Sequence, residues 1–376
     1  MIFLARAPKS TAILVGITYG PNVFHHSADN IDDLMRKVFT RLLSGHKGNS
    51  RVASRKGDST EVFGALLELT DPRARLGRST TRARVFSPLG ELFWYLSGSN
   101  ALDHILYYLE GYDEFSDDGE TLNGAYGRRL FSEARLRGES DASDEWQRVI
   151  DTLRKRPGSR NAVIQIYSNQ DGAKDSSDIP CTCTLHFVIR KGRLHLHVHM
   201  RSNDAYKGMP HDVFSFSMLQ EIAARELGLE VGTYQHSAAS LHLYDDNEDF
   251  DAHTKAQQYL DEGLHDVVPM PPMPPGDPWP SIRLVLQAER EIRHGNVEFE
   301  TSAELDPYWQ DLITLLRVYG AGKHRKGPSA EELVERLAHE GFKLYVLDRI
   351  AKRRPPTPPV IEDMFKTDVI DEQGNS

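Results

Sequence analysis

The sequence of 376 residues is poor in cysteine and has no long apolar run. Its two cysteines, Cys181 and Cys183, are one residue apart, so they cannot link distant segments, and they supply too few ligands for a zinc site. No apolar stretch approaches the roughly 20 residues that span a bilayer. The opening Met1–Arg6 lacks the basic start and long apolar centre of a signal peptide. We therefore expect no metal site and a reducing, cytoplasmic setting.

Positive charge is also scarce. Lysine and arginine total 45 against 55 aspartate and glutamate residues, which gives a net charge of −10. A general nucleic-acid binder usually carries a basic surplus, so we expect no nucleic-acid partner. One local basic pocket for a phosphate is compatible with this balance.

The residues whose side chains could take part in catalysis lie around Pro180-Cys181. Residues 181–189 and 194–200 alternate apolar and polar side chains on either side of a Gly192 turn, a pattern that predicts a β-hairpin. Cys181 begins the first strand and Arg201 follows the second, so both can face one pocket. A nearby guanidinium favours an ionised, reactive thiol. The alternative for each cysteine is a buried apolar role, which we favour for Cys183.

Two carboxylates occupy unusual positions beside apolar helices. Glu91 lies within the predicted helix 88–98, where it either points to solvent or is buried with partners. If it is partly buried, its pKa should move towards neutrality, which suits proton transfer. Asp212 directly precedes the predicted helix 213–227, where an ordinary helix N-cap is the alternative to a functional role.

Several motifs together resemble those of thymidylate synthases. They are Pro180-Cys181, then Arg201-Ser202-x-Asp204-x-x-x-Gly208-x-Pro210, then His242-x-Tyr244. The resemblance extends from about residue 54 to about residue 269. It implies an α+β fold with a mixed β-sheet and packed helices, here with a C-terminal helical extension. It also implies a homodimer that binds a pyrimidine nucleoside monophosphate and uses 5,10-methylenetetrahydrofolate as one-carbon donor.

The resemblance assigns roles residue by residue. Cys181 matches the nucleophile that attacks C6 of the base. Glu91 matches a glutamate that organises water and proton transfer, and Tyr126 a tyrosine near the reacting carbon. The implied substrate-binding residues are Arg55, Arg160, Arg201, Ser202, His242 and Tyr244, and the implied folate-binding residues are Asp204, Gly208, Tyr112 and Phe115. The three aromatic residues Tyr112, Phe115 and Tyr126 could equally be core residues.

Some positions depart from the family pattern. Arg55 is the nearest match to a phosphate-binding arginine and is one position out of register. Arg160 matches the first of two arginines that reach across a dimer, but Asn161 replaces the second, which weakens the inference of a shared site. A short apolar C-terminal tail that closes on folate is not evident.

Asp212 redirects the predicted substrate. Thymidylate synthases carry a uracil-reading asparagine there, and aspartate is typical of deoxycytidylate hydroxymethylases. A neutral amide can donate to uracil O4 and accept from N3–H. A carboxylate accepts from cytosine N4–H₂ and, when protonated, donates to N3. The sequence thus predicts a hydroxymethylase of dCMP or CMP. The alternatives are a thymidylate synthase that methylates dUMP, and an inactive nucleotide- or RNA-binding homologue.

The domain prediction has four parts. Residues 1–50 form an N-terminal extension with a strand near 12–19 and a helix over 30–43. Residues 51–268 form the catalytic domain, and the Pro-rich segment 269–280 is a linker. Residues 281–376 form a helical region with helices over 308–319 and 330–349 and a disordered tail. Ser329 and Glu332 form a capping-box pattern at the start of the second of these helices.

Overall fold

A computed structural model of the chain describes residues 24–54, 56–81, 84–139, 143–173, 175–248, 251–301 and 304–353. Within these ranges lies a mixed sheet of seven strands: β1 Phe24–Ala28, β2 Asn49–Ser54, β3 Gly57–Leu69, β4 Val163–Gln165, β5 Thr182–Arg190, β6 Arg193–Asp204 and β7 Glu230–Tyr244. The strand order is β1-β3-β7-β6-β5-β4, and β2 pairs with β3. The β1–β3 and β6–β7 pairs are parallel and the others antiparallel. The predicted strand near 12–19 lies outside the described residues.

The helices in the same ranges are α1 Ile31–Leu43, α2 Phe86–Leu96, α3 Leu102–Tyr108, α4 Gly127–Leu130, α5 Glu133–Arg137, α6 Glu145–Lys155, α7 Asn169–Ala173, α8 Met209–Glu226, α9 Ala252–Asp261, α10 Trp279–Arg293, α11 Pro307–His324, α12 Ala330–Val334 and α13 Glu340–Arg353. A short 3-10 helix covers Tyr112–Phe115. None of these helices is both long and apolar enough to cross a membrane.

The central hairpin forms as its alternation predicts. Strand β6 buries Leu194, Leu196, Val198 and Met200 on one face. Its other face carries His195, His197 and His199, which hydrogen-bond to side chains of β7. The turn after β5 places Lys191 and Gly192 at positive φ, a conformation that glycine adopts without steric cost.

Helix α8 packs on the apolar side of this sheet and is almost wholly buried. Its other side meets α2, so α2 lies over α8, which in turn lies over β6 and β7. This layering places polar residues of α2 near the first turn of α8, where the site described below is built.

The C-terminal helices complete the cover of α2. Helices α10 and α11 both pack against it. The Phe86 ring at the start of α2 lies 5.9 Å from the Tyr319 ring, and the Arg349 guanidinium lies 4.8 Å from the Phe86 ring centre. Tyr108 of the neighbouring α3 donates a hydrogen bond of 2.9 Å to Glu289 of α10.

The segment predicted to be a linker is extended but packed. Met270 and Met273 are 3% and 1% exposed. The backbone N–H of Met270 donates to the Arg73 carbonyl at 2.9 Å, and that of Met273 to the Glu221 carboxylate at 2.9 Å. Glu221 also pairs with the buried Arg75. Two buried methionines and two backbone hydrogen bonds thus hold residues 270–273 against Arg73 and Glu221 of the predicted catalytic domain. The domain boundaries themselves remain predictions.

The helix predicted over 330–349 is two helices. The capping box of Ser329 and Glu332 starts α12 as predicted. The helix is then interrupted, because the buried Asp311 carboxylate accepts hydrogen bonds from the backbone N–H groups of Ala338 and His339 at 2.8 and 2.9 Å. These N–H groups precede α13 and have no intrahelical acceptor. A tertiary contact therefore ends one helix and begins the next.

Candidate active site

Cys181 and Arg201 are neighbours, as the hairpin predicts. The Arg201 backbone N–H donates to the Cys181 carbonyl at 2.9 Å. Its guanidinium donates from Nε to the Pro180 carbonyl and from Nη2 to the Ile179 carbonyl, both at 2.9 Å. The half-buried thiol and the exposed arginine therefore share one corner of the sheet.

The ionisation of Cys181 differs from our expectation. Burial raises the pKa of its thiol, and although the Arg201 charge lowers it, Asp178 raises it further. The net pKa shift is upward, which favours the thiol over the expected thiolate. Burial likewise raises the pKa of Cys183. The expectation was wrong because the desolvation of the sulfur outweighs the effect of the nearby Arg201 charge.

Tyr126 places its hydroxyl next to Thr182, the residue after Cys181. The Thr182 backbone N–H donates to the Tyr126 hydroxyl oxygen at 3.2 Å. The Tyr126 ring stacks on Phe216 at 6.1 Å and lies 5.1 Å from the Tyr95 ring. Burial raises the pKa of Tyr126 well above its usual range, and the adjacent Cys181 raises it further. This hydroxyl is therefore a neutral hydrogen-bonding group beside the sulfur.

Glu91 is buried within α2 and fully partnered. Its Oε1 accepts from the Tyr95 hydroxyl at 2.7 Å and the Tyr112 hydroxyl at 3.3 Å. Its Oε2 lies 2.8 Å from His211 Nδ1. Burial pushes the pKa of Glu91 upward, but the contacts with His211, Tyr95 and Tyr112 outweigh it and the net shift is downward. The expected pKa near neutrality is wrong, as is the solvent-facing alternative.

His211 was not predicted from the sequence. It is 6% exposed, and its Nε2 lies 3.3 Å from the Ser87 hydroxyl. It lies between Pro210, the last residue of the motif, and Asp212, and its position in the sequence gave no signal by itself. The contact with Glu91 joins residues 120 positions apart.

Asp212 is not an N-cap. Helix α8 begins at Met209, and the Asp212 backbone N–H already donates within the helix, to the Gly208 carbonyl at 3.0 Å. The side chain is buried, and its Oδ2 accepts from Asn203 Nδ2 at 2.7 Å. Burial raises the pKa of Asp212 well above its usual range, and the charge of Glu91 raises it further. The pKa values of these two neighbouring carboxyl groups thus shift in opposite directions: burial favours the protonated form of Asp212, and the hydrogen bonds of Glu91 favour its ionised form.

Asn203 belongs to a buried chain of hydrogen bonds that the sequence did not reveal. Its Oδ1 lies 2.8 Å from His236 Nε2, and His236 Nδ1 lies 2.9 Å from the Tyr234 hydroxyl. Burial and the neighbouring histidines lower the pKa of His236 to about 3, so its ring is neutral. The polar residues at alternate positions of β7 were the only available signal.

Asp204 and Gly208 shape the turn before α8. Asp204 Oδ1 accepts the backbone N–H groups of Tyr206 and Lys207 at 2.7 and 2.8 Å. A Cβ atom on Gly208 would lie 3.1 Å from Asn203 Nδ2, so glycine lets the turn approach this amide closely. The folate-binding roles predicted for both residues remain predictions.

Aromatic residues form a wall beside Glu91. The Trp94 and Tyr112 rings meet edge to face at 6.0 Å, and Phe115 lies 5.8 Å from Tyr112. Lys56 Nζ lies 3.9 Å from the Phe115 ring centre, so the turn between β2 and β3 reaches this wall. Arg55, the predicted phosphate ligand of that turn, lies outside the described residues.

His242 and Tyr244 lie at the end of β7, beside the end of β6 that carries Ser202. Asp204 pairs with His242 in the parallel register. The rings of His242 and Tyr244 are 4.9 Å apart. Arg160 is exposed before β4, the strand at the far end of the sheet. Its predicted role in a second subunit's site remains a prediction.

Cys181 directly precedes β5, Arg201 lies near the end of β6, and Glu91 is buried in α2. A family model described as thymidylate synthase matches residues 32–260, more than half of the chain. The chain therefore belongs to the thymidylate synthase family. This confirms the predicted family and its α+β fold.

Two relatives are similar over part of their length. The chain is 35% identical over 200 residues to the deoxyuridylate hydroxymethyltransferase of Bacillus phage SP01, which covers 50% of this chain and 51% of the relative. It is 30% identical over 212 residues to the deoxyuridylate hydroxymethyltransferase of Delftia phage PhiW-14, covering 52% and 56%. The chain thus spans about half the length of the curated relatives it matches.

Proposed function

We propose that the chain is a folate-dependent hydroxymethyltransferase that converts dUMP to its 5-hydroxymethyl derivative. The names of the two relatives, both deoxyuridylate hydroxymethyltransferases, support this choice of base. The buried Asp212 held by Asn203 is compatible with it, because burial raises the Asp212 pKa and favours the protonated acid. A carboxylic acid has one donor and one acceptor oxygen, as an amide has one donor and one acceptor atom. It can therefore donate to uracil O4 and accept from N3–H, as the family's asparagine does.

The cytosine nucleotide predicted from Asp212 is not confirmed. Both relatives are named for deoxyuridylate. A protonated Asp212 has one donor and one acceptor oxygen and can pair with uracil as well as with cytosine. Hydroxymethylation of dCMP is therefore one outcome of the test.

The residues of this chain suit covalent catalysis. The Cys181 sulfur, after losing its proton, bonds to C6 of the base, and the electrons of the C5–C6 double bond make C5 nucleophilic. The Tyr126 hydroxyl, beside the sulfur, is placed to hydrogen-bond to groups at this carbon. Arg201 has N–H donors beyond the two that hold the backbone and can bind a phosphate.

The aromatic wall fits the predicted donor, 5,10-methylenetetrahydrofolate. Trp94, Tyr112 and Phe115 offer flat apolar surface, and Trp94 Nε1 is buried with no hydrogen-bond partner among the described residues. A buried unpaired N–H is costly and suits a polar, planar ligand. When bound, the folate supplies a one-carbon unit at the level of a methylene group.

Glu91 and His211 favour hydroxymethylation over methylation. An ionised carboxylate hydrogen-bonded to an imidazole can orient a water molecule and accept its proton. Transfer of the one-carbon unit, loss of the C5 proton and departure of tetrahydrofolate would leave an exocyclic methylene group on C5. The water oxygen then bonds to this methylene carbon, and the electrons of the exocyclic C=C bond pass into the ring. These electrons re-form the C5–C6 double bond, and the Cys181 thiolate leaves.

Product analysis tests this proposal. The protein is incubated with methylenetetrahydrofolate and dUMP, UMP, dCMP or CMP, and the products are identified by mass spectrometry. We expect a hydroxymethyl group on dUMP, and none with the Cys181→Ala control. A methyl group on dUMP would establish a thymidylate synthase instead. A hydroxymethyl group on dCMP or CMP would restore the cytosine assignment, and no product with any nucleotide would favour the non-catalytic homologue.

We further propose a homodimer in which Arg160 binds the phosphate in the other subunit's site. The exposure of Arg160 at the sheet edge supports this role. Sedimentation should give a dimer. Arg160→Ala and Cys181→Ala proteins, each inactive alone, should regain activity when their subunits are mixed, because one of the two mixed sites has both residues. Failure to complement would place Arg160 outside a shared site.

A further inference from the structure

We propose that Asn203, anchored by His236 and Tyr234, determines which oxygen of Asp212 donates to the base and thereby sets the base specificity. This inference rests on the proposed function, because it concerns how the same pocket distinguishes uracil from cytosine. Tyr234 and His236 are both fully buried, and Asn203 is 4% exposed. The three residues lie on β6 and β7, beneath the first turn of α8.

The direction of every hydrogen bond in the chain follows from its chemistry. Asn203 Nδ2 can only donate, so Asp212 Oδ2 is an acceptor. Asn203 Oδ1 can only accept, so His236 Nε2 must carry a proton. The neutral His236 then has a bare Nδ1, which accepts from the Tyr234 hydroxyl. One tautomer satisfies all three contacts.

In the protonated form of Asp212, which its burial favours, this fixed direction leaves the acidic proton on Oδ1. A carboxyl group without such a partner can carry its proton on either oxygen. It could then present donor and acceptor in either order and pair with uracil or with cytosine equally well. Asn203 removes that freedom, because a proton on Oδ2 would face the amide N–H.

Base discrimination follows from the fixed order. In the proposed uracil complex, Oδ1–H faces O4 and Oδ2 faces N3–H. Cytosine in the same position would set its N4–H₂ against Oδ1–H and its bare N3 against Oδ2, which leaves two mismatched contacts. Sites that leave buried polar groups unpaired can reject a substrate by about 10⁴-fold or more. Asn203, His236 and Tyr234 touch Asp212 or one another, so they are positioning residues.

The test removes the anchor and measures specificity. We expect Asn203→Ala and His236→Phe to lower the ratio of kcat/KM for dUMP to that for dCMP by about tenfold or more. In His236→Phe the amide can turn over and present Oδ1 to Asp212. His236→Gln should restore the ratio, because its amide N–H can donate to Asn203 Oδ1. Ser217→Ala is the control, since Ser217 is fully buried on α8 and donates to the Phe214 carbonyl instead.

Binding measurements separate this inference from the proposed function. Dissociation constants of dUMP and dCMP are measured by calorimetry in a Cys181→Ala background, where no turnover occurs. If the starting protein prefers dCMP, the proposed substrate is wrong, yet removing the anchor should still erase that preference. If the folded Asn203→Ala and His236→Phe proteins keep the starting preference, the inference is overturned whichever base is preferred.

Discussion

Replacing Asp212 by asparagine tests the neutral acid directly. In the Asp212→Asn protein, Asn203 Nδ2 still requires an acceptor, so the new amide places its oxygen at the Oδ2 position and its NH₂ at the Oδ1 position. The variant therefore offers the base the same donor and acceptor as the protonated wild-type side chain. We expect it to fold and to keep most of its activity on dUMP.

The raised pKa of Asp212 has a measurable effect on how the free energy of unfolding depends on pH. The pKa of Asp212 is raised in the folded protein, so above the ordinary aspartate pKa the unfolded chain loses a proton that the folded protein keeps. The free energy of unfolding of the wild type then falls, relative to the variant, by about 1.4 kcal/mol for each pH unit up to the folded pKa. Asp212→Asn should thus be the more stable protein at neutral pH.

Urea denaturation across a pH series measures this difference. Asp171→Asn is a control of opposite sign, because the Arg129 guanidinium holds the pKa of Asp171 below its usual range. That carboxylate stabilises the fold at neutral pH, and its contribution is lost as pH falls. Asp171→Asn should therefore be less stable than wild type at neutral pH, with a gap that narrows in acid.

The pH dependence of activity gives a second measurement of the Asp212 pKa shift. Wild-type kcat/KM for dUMP should decline as pH rises through the raised Asp212 pKa, whereas the variant has no such decline. Dividing the variant profile by the wild-type profile cancels the contribution of the Cys181 thiol. A flat quotient, together with parallel stability curves, would show that Asp212 is ionised and refute the reasoning.

Three further predictions address other residues of the site and core. Cys181→Ala should abolish turnover and retain nucleotide binding, while Cys183→Ala should keep most activity. Loss of activity in Cys183→Ala alone would show that Cys183, not Cys181, is the nucleophile. His211→Phe removes the main contact that lowers the Glu91 pKa, so the acid side of the pH profile of kcat/KM should move to higher pH. An unchanged profile would show that the ionisation of Glu91 does not limit kcat/KM. Glu221→Ala leaves Arg75 unpaired and should cost about 3–5 kcal/mol in urea denaturation, whereas replacing both by methionine should cost less.

Local pattern accounts for what the sequence predicted well. The hairpin carrying Cys181 and Arg201 follows from alternation and a Gly192 turn. The first helix, predicted over 30–43, forms over Ile31–Leu43 because Asn30 accepts the Asp33 N–H at 2.8 Å and apolar residues repeat at helical spacing. In both cases the deciding contacts lie within a few residues of one another.

The ionisation states could not be predicted in the same way. The pKa of Glu91 depends on His211, 120 residues away, and that of Asp212 on burial beneath a helix contributed by another part of the chain. The residues of the motif do not show how close Glu91 and His211 lie or how far the two carboxyl groups are removed from water. A neutral aspartate and an ionised one are the same letter in the sequence, although they present different hydrogen-bonding patterns to a base.

The packing of the C-terminal helices bears on modularity. The family match ends at residue 260, yet α2, which carries Glu91, is covered by Tyr319 of α11 and Arg349 of α13, and its neighbour α3 is bonded to Glu289. A fragment cut at the family boundary would expose an apolar face of α2. We therefore expect the cooperative folding unit to extend beyond the residues that match the family. An exchange of family cores between such chains would have to carry the C-terminal helices with it.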